Sequence, residues 1–226
     1  MSRARLTPPV AAGLALSLGG PVLVPFVSGP FAGASAAAQS IAGQLMLWAL
    51  LGALVAIVLG WERRPLASLE LRPLRAASVL WGLAAAAVLV YAVVPLASGV
   101  VRALGLAGFE RGLSAVLALP LWLRVVAVLT GGIVEEVLYR GHAITRVAHV
   151  TGSRALAAAL SVAIFALAHG PLWGPGPVVS FLFSGGFLAA FFLWRRDLLA
   201  NVVAHVTVDA LGLVFAPTAG AGRWID

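Results

Sequence analysis

The sequence predicts an all-α fold, a polytopic transmembrane bundle of about seven helices. Hydrophobic residues make up 62% of the 226-residue chain and charged residues only 10%, too little polar surface to coat a soluble domain. Mean hydropathy is +1.04. The apolar residues also fall in continuous runs, close to the roughly 20 residues a helix needs to cross a bilayer, without the alternation of a barrel strand.

Taken in order, the first run covers 10–28, preceded by Arg3 and Arg5 and followed by the small residues "AGASAAAQS". That arrangement has two readings, a retained helix or a cleaved secretory signal over residues 1–39. The length of the apolar part and the presence of Pro21 and Pro25 favour retention. The second and third runs cover 41–60 and 76–96. A long fourth run, 113–149, is interrupted by Pro120. Gly152 then punctuates, and Ser153 can cap a fifth helix over 154–169. Runs at 177–194 and 197–215 complete the set, with Asp197 placed to cap the last.

All 15 basic residues are arginine, and the net charge is +7. Most of them sit between apolar runs, as in "WERRPLASLELRPLR" and "LWRRD", with no basic stretch interleaved with exposed aromatics, so nucleic acid is not an expected partner. They read instead as anchors under the positive-inside rule. Arg3, Arg5, Arg63, Arg64, Arg72, Arg75, Arg146, Arg154, Arg195 and Arg196 fall on one side, against Arg102, Arg111 and Arg223 on the other, partly offset by Glu110 and Asp226. An inside N-terminus follows. With no cysteine, the chain has no disulfide, thiolate ligand or thiol nucleophile.

Ionisable groups near a bilayer centre cost about 2.5 to 3.5 kcal/mol on insertion scales, which makes them functional candidates by default. Here they are Glu135, Glu136 and Arg140 in "GGIVEEVLYRGH", His169, and His205 with Asp209 in "NVVAHVTVD". If Gly152 is the pivot of a helical hairpin, Glu135 and His169 lie at equal depth, since 152 minus 135 and 169 minus 152 are both 17. Asn201, His205 and Asp209 share one helix face at i, i+4, i+8. Glu136 and Arg140 have the i, i+4 spacing of an ion pair, and Glu135 points about 100° away around the helix. Arg140 can therefore neutralise Glu136 and leave Glu135 as the free carboxylate, a candidate general base.

These three motifs, in this order on separate apolar segments, resemble the CPBP family of intramembrane proteases, also called the CAAX prenyl endopeptidase and bacteriocin-processing family. Its EExxxR, FxxxH and HxxxN/D patterns are matched by Glu135, Glu136 and Arg140, by Phe165 and His169, and by His205 and Asp209. The resemblance covers about 76–215. It divides the chain into an N-terminal extension of two helices, 1–75, and a CPBP-like domain, 76–226. What it implies is an endopeptidase that hydrolyses peptide bonds of membrane-associated or prenylated, CAAX-type substrates, in a multi-pass protein of the plasma (inner) membrane of a bacterium. Glu135, assisted by His169, would activate water; His205 and Asp209 would stabilise the oxyanion.

An aspartate donates a hydrogen bond only when protonated, so two alternatives stand: Asp209 orients His205, or Asn201 supplies an amide. Catalytic zinc held by Glu135, His169 and His205 is the other mechanism, but the HExxH spacing is missing and water activated without tightly bound metal is favoured. Two further functions are a catalytically inactive, immunity-like membrane partner and a proton-coupled transporter. Against the transporter, the chain has neither an internal repeat nor paired broken helices.

Other residues have plainer expectations. Phe165 packs, and His142 and His149 are solvated or interfacial. Gly131, Gly132, Gly185 and Gly186 mark close helix approaches. Trp61, Trp122, Trp173 and Trp194 form an interfacial belt.

Overall fold

The computed structural model describes residues 5–27 and 33–215. Arg3, Arg223 and Asp226, which enter the loop-charge comparison, lie outside the described residues. Eight helices are present among them, with no strand: α1 (8–27), α2 (Ala36–Trp61), α3 (Ala76–Ala103), α4 (Glu110–Leu117), α5 (121–151), α6 (Arg154–Trp173), α7 (Pro175–Arg195) and α8 (Leu198–Phe215). Six of these, all but α4 and α5, are long and apolar enough to cross a membrane. Helix α5 is long enough too, but carries Arg124, Glu135, Glu136, Arg140 and Arg146.

The local sequence explains where the helices start, stop and bend. Ser35 Oγ accepts from the Ala38 amide, Ser153 Oγ from Leu156 and Asp197 Oδ1 from Ala200, so three helices begin on side-chain caps. Gly152 takes the left-handed conformation (φ 75°) that closes α5 and turns the chain into α6. Pro120 separates α4 from α5, as its ring requires of a helix interior. Inside α1 and α3, stretches wound in wider π turns, Ala15–Gly19 and Leu89–Val93, end just before Pro21 and Pro95, where the normal ladder loses a donor.

Helix α5 is the centre of the bundle. Val134, Leu138, Tyr139, Ile144 and Val147 pack against Leu54 and Val58 of α2, Ala157 and Phe165 of α6, Ala189 and Phe192 of α7, and Leu198 of α8. The surrounding helices turn large apolar residues outward, among them Leu45, Leu80, Tyr91 and Leu167. The polarity is therefore inverted relative to a soluble protein, with charge inside and hydrocarbon outside, as a lipid solvent demands. This also explains how a five-charge helix is tolerated: its neighbours shield it from lipid.

Close approach tightens the frame. A Cβ on Gly82 would lie 2.6 Å from Val203 Cβ and 2.7 Å from the Ala200 carbonyl, so α3 and α8 touch backbone to side chain. Gly132 meets Val206, and Gly185 lies against Phe165 and Arg140, as the small-residue reading expects. Gly186 departs from that reading, because a Cβ there meets nothing within 4 Å. Its neighbour Gly185 already occupies the face turned to α6. Trp61, Trp122 and Trp194 are exposed, whereas Trp173 packs on Phe109 and Phe181 over Gly112 instead of joining an outer belt.

Loops carrying most of the arginines meet at one end, where Leu198 N donates to Glu70 O and Arg146 reaches Ser68. At the opposite end, Gly176 abuts Ala107 and Arg124 donates to Leu213 O. Two substitutions separate close approach from glycine content. Gly82→Ala should lower stability by about 1–3 kcal/mol through overpacking, whereas Gly186→Ala should be neutral or stabilising by up to about 1 kcal/mol through helix propensity; thermal unfolding in detergent measures both.

Candidate active site

Near the middle of α5 the backbone over Gly131–Ile144 is wound in π turns, a widening that recurs at functional sites. Its two adjacent glutamates have different surroundings. Glu136 is fully buried, and its Oε1 accepts from Arg140 Nη1 at 2.8 Å and from His205 Nδ1 at 2.8 Å. Its Oε2 accepts from Asn201 Nδ2 at 3.2 Å. A buried carboxylate with that many donors is fully committed. Arg140 is equally enclosed, donating its other terminal nitrogen to Gly185 O at 3.3 Å and lying over the Phe165 ring at 4.5 Å.

Glu135 faces the other way. Its side chain keeps 16% of its exposure, and Oε1 lies 3.7 Å from His169 Nε2. The hairpin closed at Gly152 thus puts the two groups side by side from equal distances along α5 and α6. Phe165 O accepts from His169 Nδ1 at 2.7 Å; a carbonyl only accepts, so Nδ1 carries a proton and Nε2 is the nitrogen turned toward Glu135. Phe165 and Phe181 hold the imidazole between them, with ring centroids 4.6 and 4.2 Å away.

From α8, His205 bridges the two halves. Nδ1 is bound to Glu136, and Nε2 lies 3.5 Å from Asp209 Oδ2, which also comes within reach of the Gly131 position. All six residues singled out from the sequence, Glu135, Glu136, Arg140, His169, His205 and Asp209, are therefore drawn to one region of α5, α6 and α8. Asn201 behaves differently from the amide donor considered above. Its Nδ2 is shared between Glu136 Oε2 and Leu188 O at 2.9 Å, and the residue is wholly buried, so its amide braces the carboxylate. Among the described residues no group of three or more His, Cys, Asp and Glu side chains is placed to hold a metal ion, Glu135, His169 and His205 included.

The expectation for His142 needs correcting. It is fully buried, between Ser17 Oγ at 3.1 Å and Glu62 Oε1 at 3.2 Å, because α1 and the end of α2 cover the inner part of α5. Arg146 completes the cluster, donating to Glu62 Oε2 at 2.8 Å and to Ser68. Nothing local in the sequence announced this network, whose members come from four segments. Burial alone would raise the Glu62 carboxyl, but the hydrogen bond and charge of Arg146, with the His142 contact, outweigh it and hold the group below its ordinary range. Asp197, expected as a cap, does cap α8 and also accepts from Ser78 Oγ at 2.7 Å.

A membrane bundle that buries a carboxylate, an imidazole and a guanidinium at its centre, with a second carboxylate and imidazole half-buried beside them, has the build of an integral, multi-pass membrane protein with a polar intramembrane site. Residues 117–211 match the family model described as Type II CAAX prenyl endopeptidase Rce1-like, in agreement with the CPBP resemblance. The matched stretch holds α5, α6, α7 and most of α8, and hence every motif residue named above. This family implies a membrane protease acting on a peptide or protein substrate. Neither the curated proteins nor the solved structures give a significant match.

The buried Glu62 cluster generates a pH-dependent expectation. A carboxyl held low in the folded state stabilises it above the ordinary carboxylate range, and the contribution is lost as pH falls through the folded value. Glu62→Gln should therefore destabilise by about 3–5 kcal/mol at neutral pH by stranding Arg146. Unfolding curves of native and variant protein should converge as the pH is lowered below about 4.

Proposed function

We propose that the chain is an intramembrane endopeptidase in which Glu135 activates water and His169, His205 and Asp209 complete the site, with α1 and α2 as an extension buttressing a catalytic unit built from α3 onward. The observation that carries this reading is the division of labour between adjacent glutamates. Glu136 is consumed by Arg140, His205 and Asn201, while Glu135 faces a histidine at 3.7 Å. That separation is too long for a direct hydrogen bond and suits two groups addressing one water molecule.

In the proposed reaction Glu135 takes a proton from water, aided by the lone pair on His169 Nε2, and the oxygen attacks the scissile carbonyl carbon. The resulting oxyanion needs a donor. His205, with Nδ1–H anchored on the Glu136 carboxylate, can offer Nε2–H when the ring carries both protons. Asp209, 3.5 Å from that nitrogen, orients it. Collapse of the intermediate breaks the C–N bond, and the proton held by Glu135 passes to the leaving amine. No step is routed through a metal. Prenylated, CAAX-type chains are the proposed substrate class, on the strength of the family description alone.

Hydrolysis of a quenched-fluorescence peptide panel, with prenylated members, tests the assignment. The native protein should cleave, Glu135→Gln should lose turnover, and His205→Ala should lower kcat by about 10²–10³, the usual loss of one oxyanion donor. Native-like turnover by Glu135→Gln would sink the proposed base. Cleavage that a chelator abolishes would replace the metal-free route.

A further inference from the structure

The arginine-rich end of the bundle holds a second polar site, remote from Glu135. Between the 62–75 loop, the inner end of α5, the start of α6 and the end of α7 lies a cavity of about 150 Å³, bordered by Arg64, Arg146, Arg154, Arg196, His149 and Glu70. Arg146 is eleven residues beyond Glu135 on α5 (146 minus 135), about 16 Å along the helix. The catalytic reading plays no part in what this cavity can bind.

Its charge is one-sided. The single acid in the lining, Glu70, is bound by Arg196 and lies 3.6 Å from Arg72, and Arg146 is paired with Glu62. Arg64 and Arg154 have no carboxylate partner among the described residues, and both are exposed at the rim. Glu70 and Arg196 both adopt left-handed backbone (φ 59° and 53°), where glycine would be the less strained residue. Each ends a helical turn there and is fixed by the other's charge, so the floor of the cavity is a built surface.

Neighbouring aromatics set its depth. Trp61 stands three residues before Arg64, and Trp194 two before Arg196; both are exposed. Arg195 lies over the Trp194 and Trp81 rings at 5.4 and 4.5 Å. Tryptophans in this setting mark the headgroup level of a bilayer, and on the arginine-rich side basic pockets between helices meet anionic lipid. The volume equals that of about five water molecules, enough for one tetrahedral anion but not for the body of a lipid.

We propose that this cavity binds a phosphate group, carried by the headgroup of an anionic phospholipid or by free phosphate. Guanidinium forks suit the equatorial oxygens of a phosphate, and two of the four are free to turn toward it. Thermal unfolding of the full chain in detergent, with phosphatidylglycerol, phosphatidylcholine or inorganic phosphate added, tests this. The native protein and an Arg64→Gln/Arg154→Gln double variant are compared. Because neither arginine has an acidic partner, the variant should keep the native Tm without ligand.

Phosphatidylglycerol should raise the native Tm by several degrees, phosphatidylcholine should not, and the rise should vanish in the double variant. An equal rise with inorganic phosphate assigns the free anion as the source; a rise with phosphatidylglycerol alone assigns the lipid. No response to any of the three, an equal response to both lipids, or a rise retained by the double variant overturns the proposal. If the double variant fails to fold, the two single variants carry the same comparison.

Discussion

The ion pair between Glu136 and Arg140 is the constraint on which the rest of the interior depends. Both side chains are essentially without exposure, at the centre of a bundle whose outer face is hydrocarbon. Removing two charges from water is costly, and their attraction offsets the cost only when the remaining hydrogen-bonding capacity is also met. Asn201 and His205 from α8, the Gly185 carbonyl from α7 and the Phe165 ring from α6 meet most of it, leaving Arg140 Nε without a hydrogen-bond partner among the described residues. Three helices are thereby pinned to α5 through one pair of side chains.

The same constraint divides the two glutamates by function. Because Glu136 absorbs the Arg140 cation and two further donors, Glu135 one position along is left to face His169. A carboxylate with no arginine bound to it, beside an imidazole whose Nδ1–H is anchored on Phe165 O, is the arrangement that proton abstraction from water needs. His205 links the two halves, with one nitrogen on the structural carboxylate and the other toward the reacting region. Structure and proposed chemistry share the same four helix segments, which is why these polar residues cluster there.

Much of this was legible in the sequence, for physical reasons. Helical spans follow from apolar runs and the length of the bilayer, and the break at Pro120 and the turn at Gly152 follow from backbone chemistry. Counting from that turn was enough to align Glu135 with His169, because antiparallel helices joined by a tight turn keep register. The i, i+4 spacing gave the Glu136–Arg140 pair for the same reason. What could not be read was interaction between segments whose relative rotation no local signal sets. His142 looked interfacial because it lies toward the end of α5, yet α1 and Glu62 enclose it. Asn201 shared a face with His205 and Asp209, but the approach of α7 decides that its amide spans Glu136 and the Leu188 carbonyl. Gly186 could not be told from Gly185 without knowing which face of α7 meets α6.

The central claim is that adjacent glutamates do different jobs, one holding the bundle and one left free for chemistry. Thermal unfolding of Glu136→Gln beside Glu135→Gln, each in the same detergent, tests it most directly. The account predicts that Glu136→Gln is destabilised by about 3–5 kcal/mol, because Arg140 keeps a buried charge without its counter-ion, while Glu135→Gln melts with the native protein. A Glu136→Gln variant as stable as the native chain, or a Glu135→Gln variant that loses more stability than it, would contradict the account.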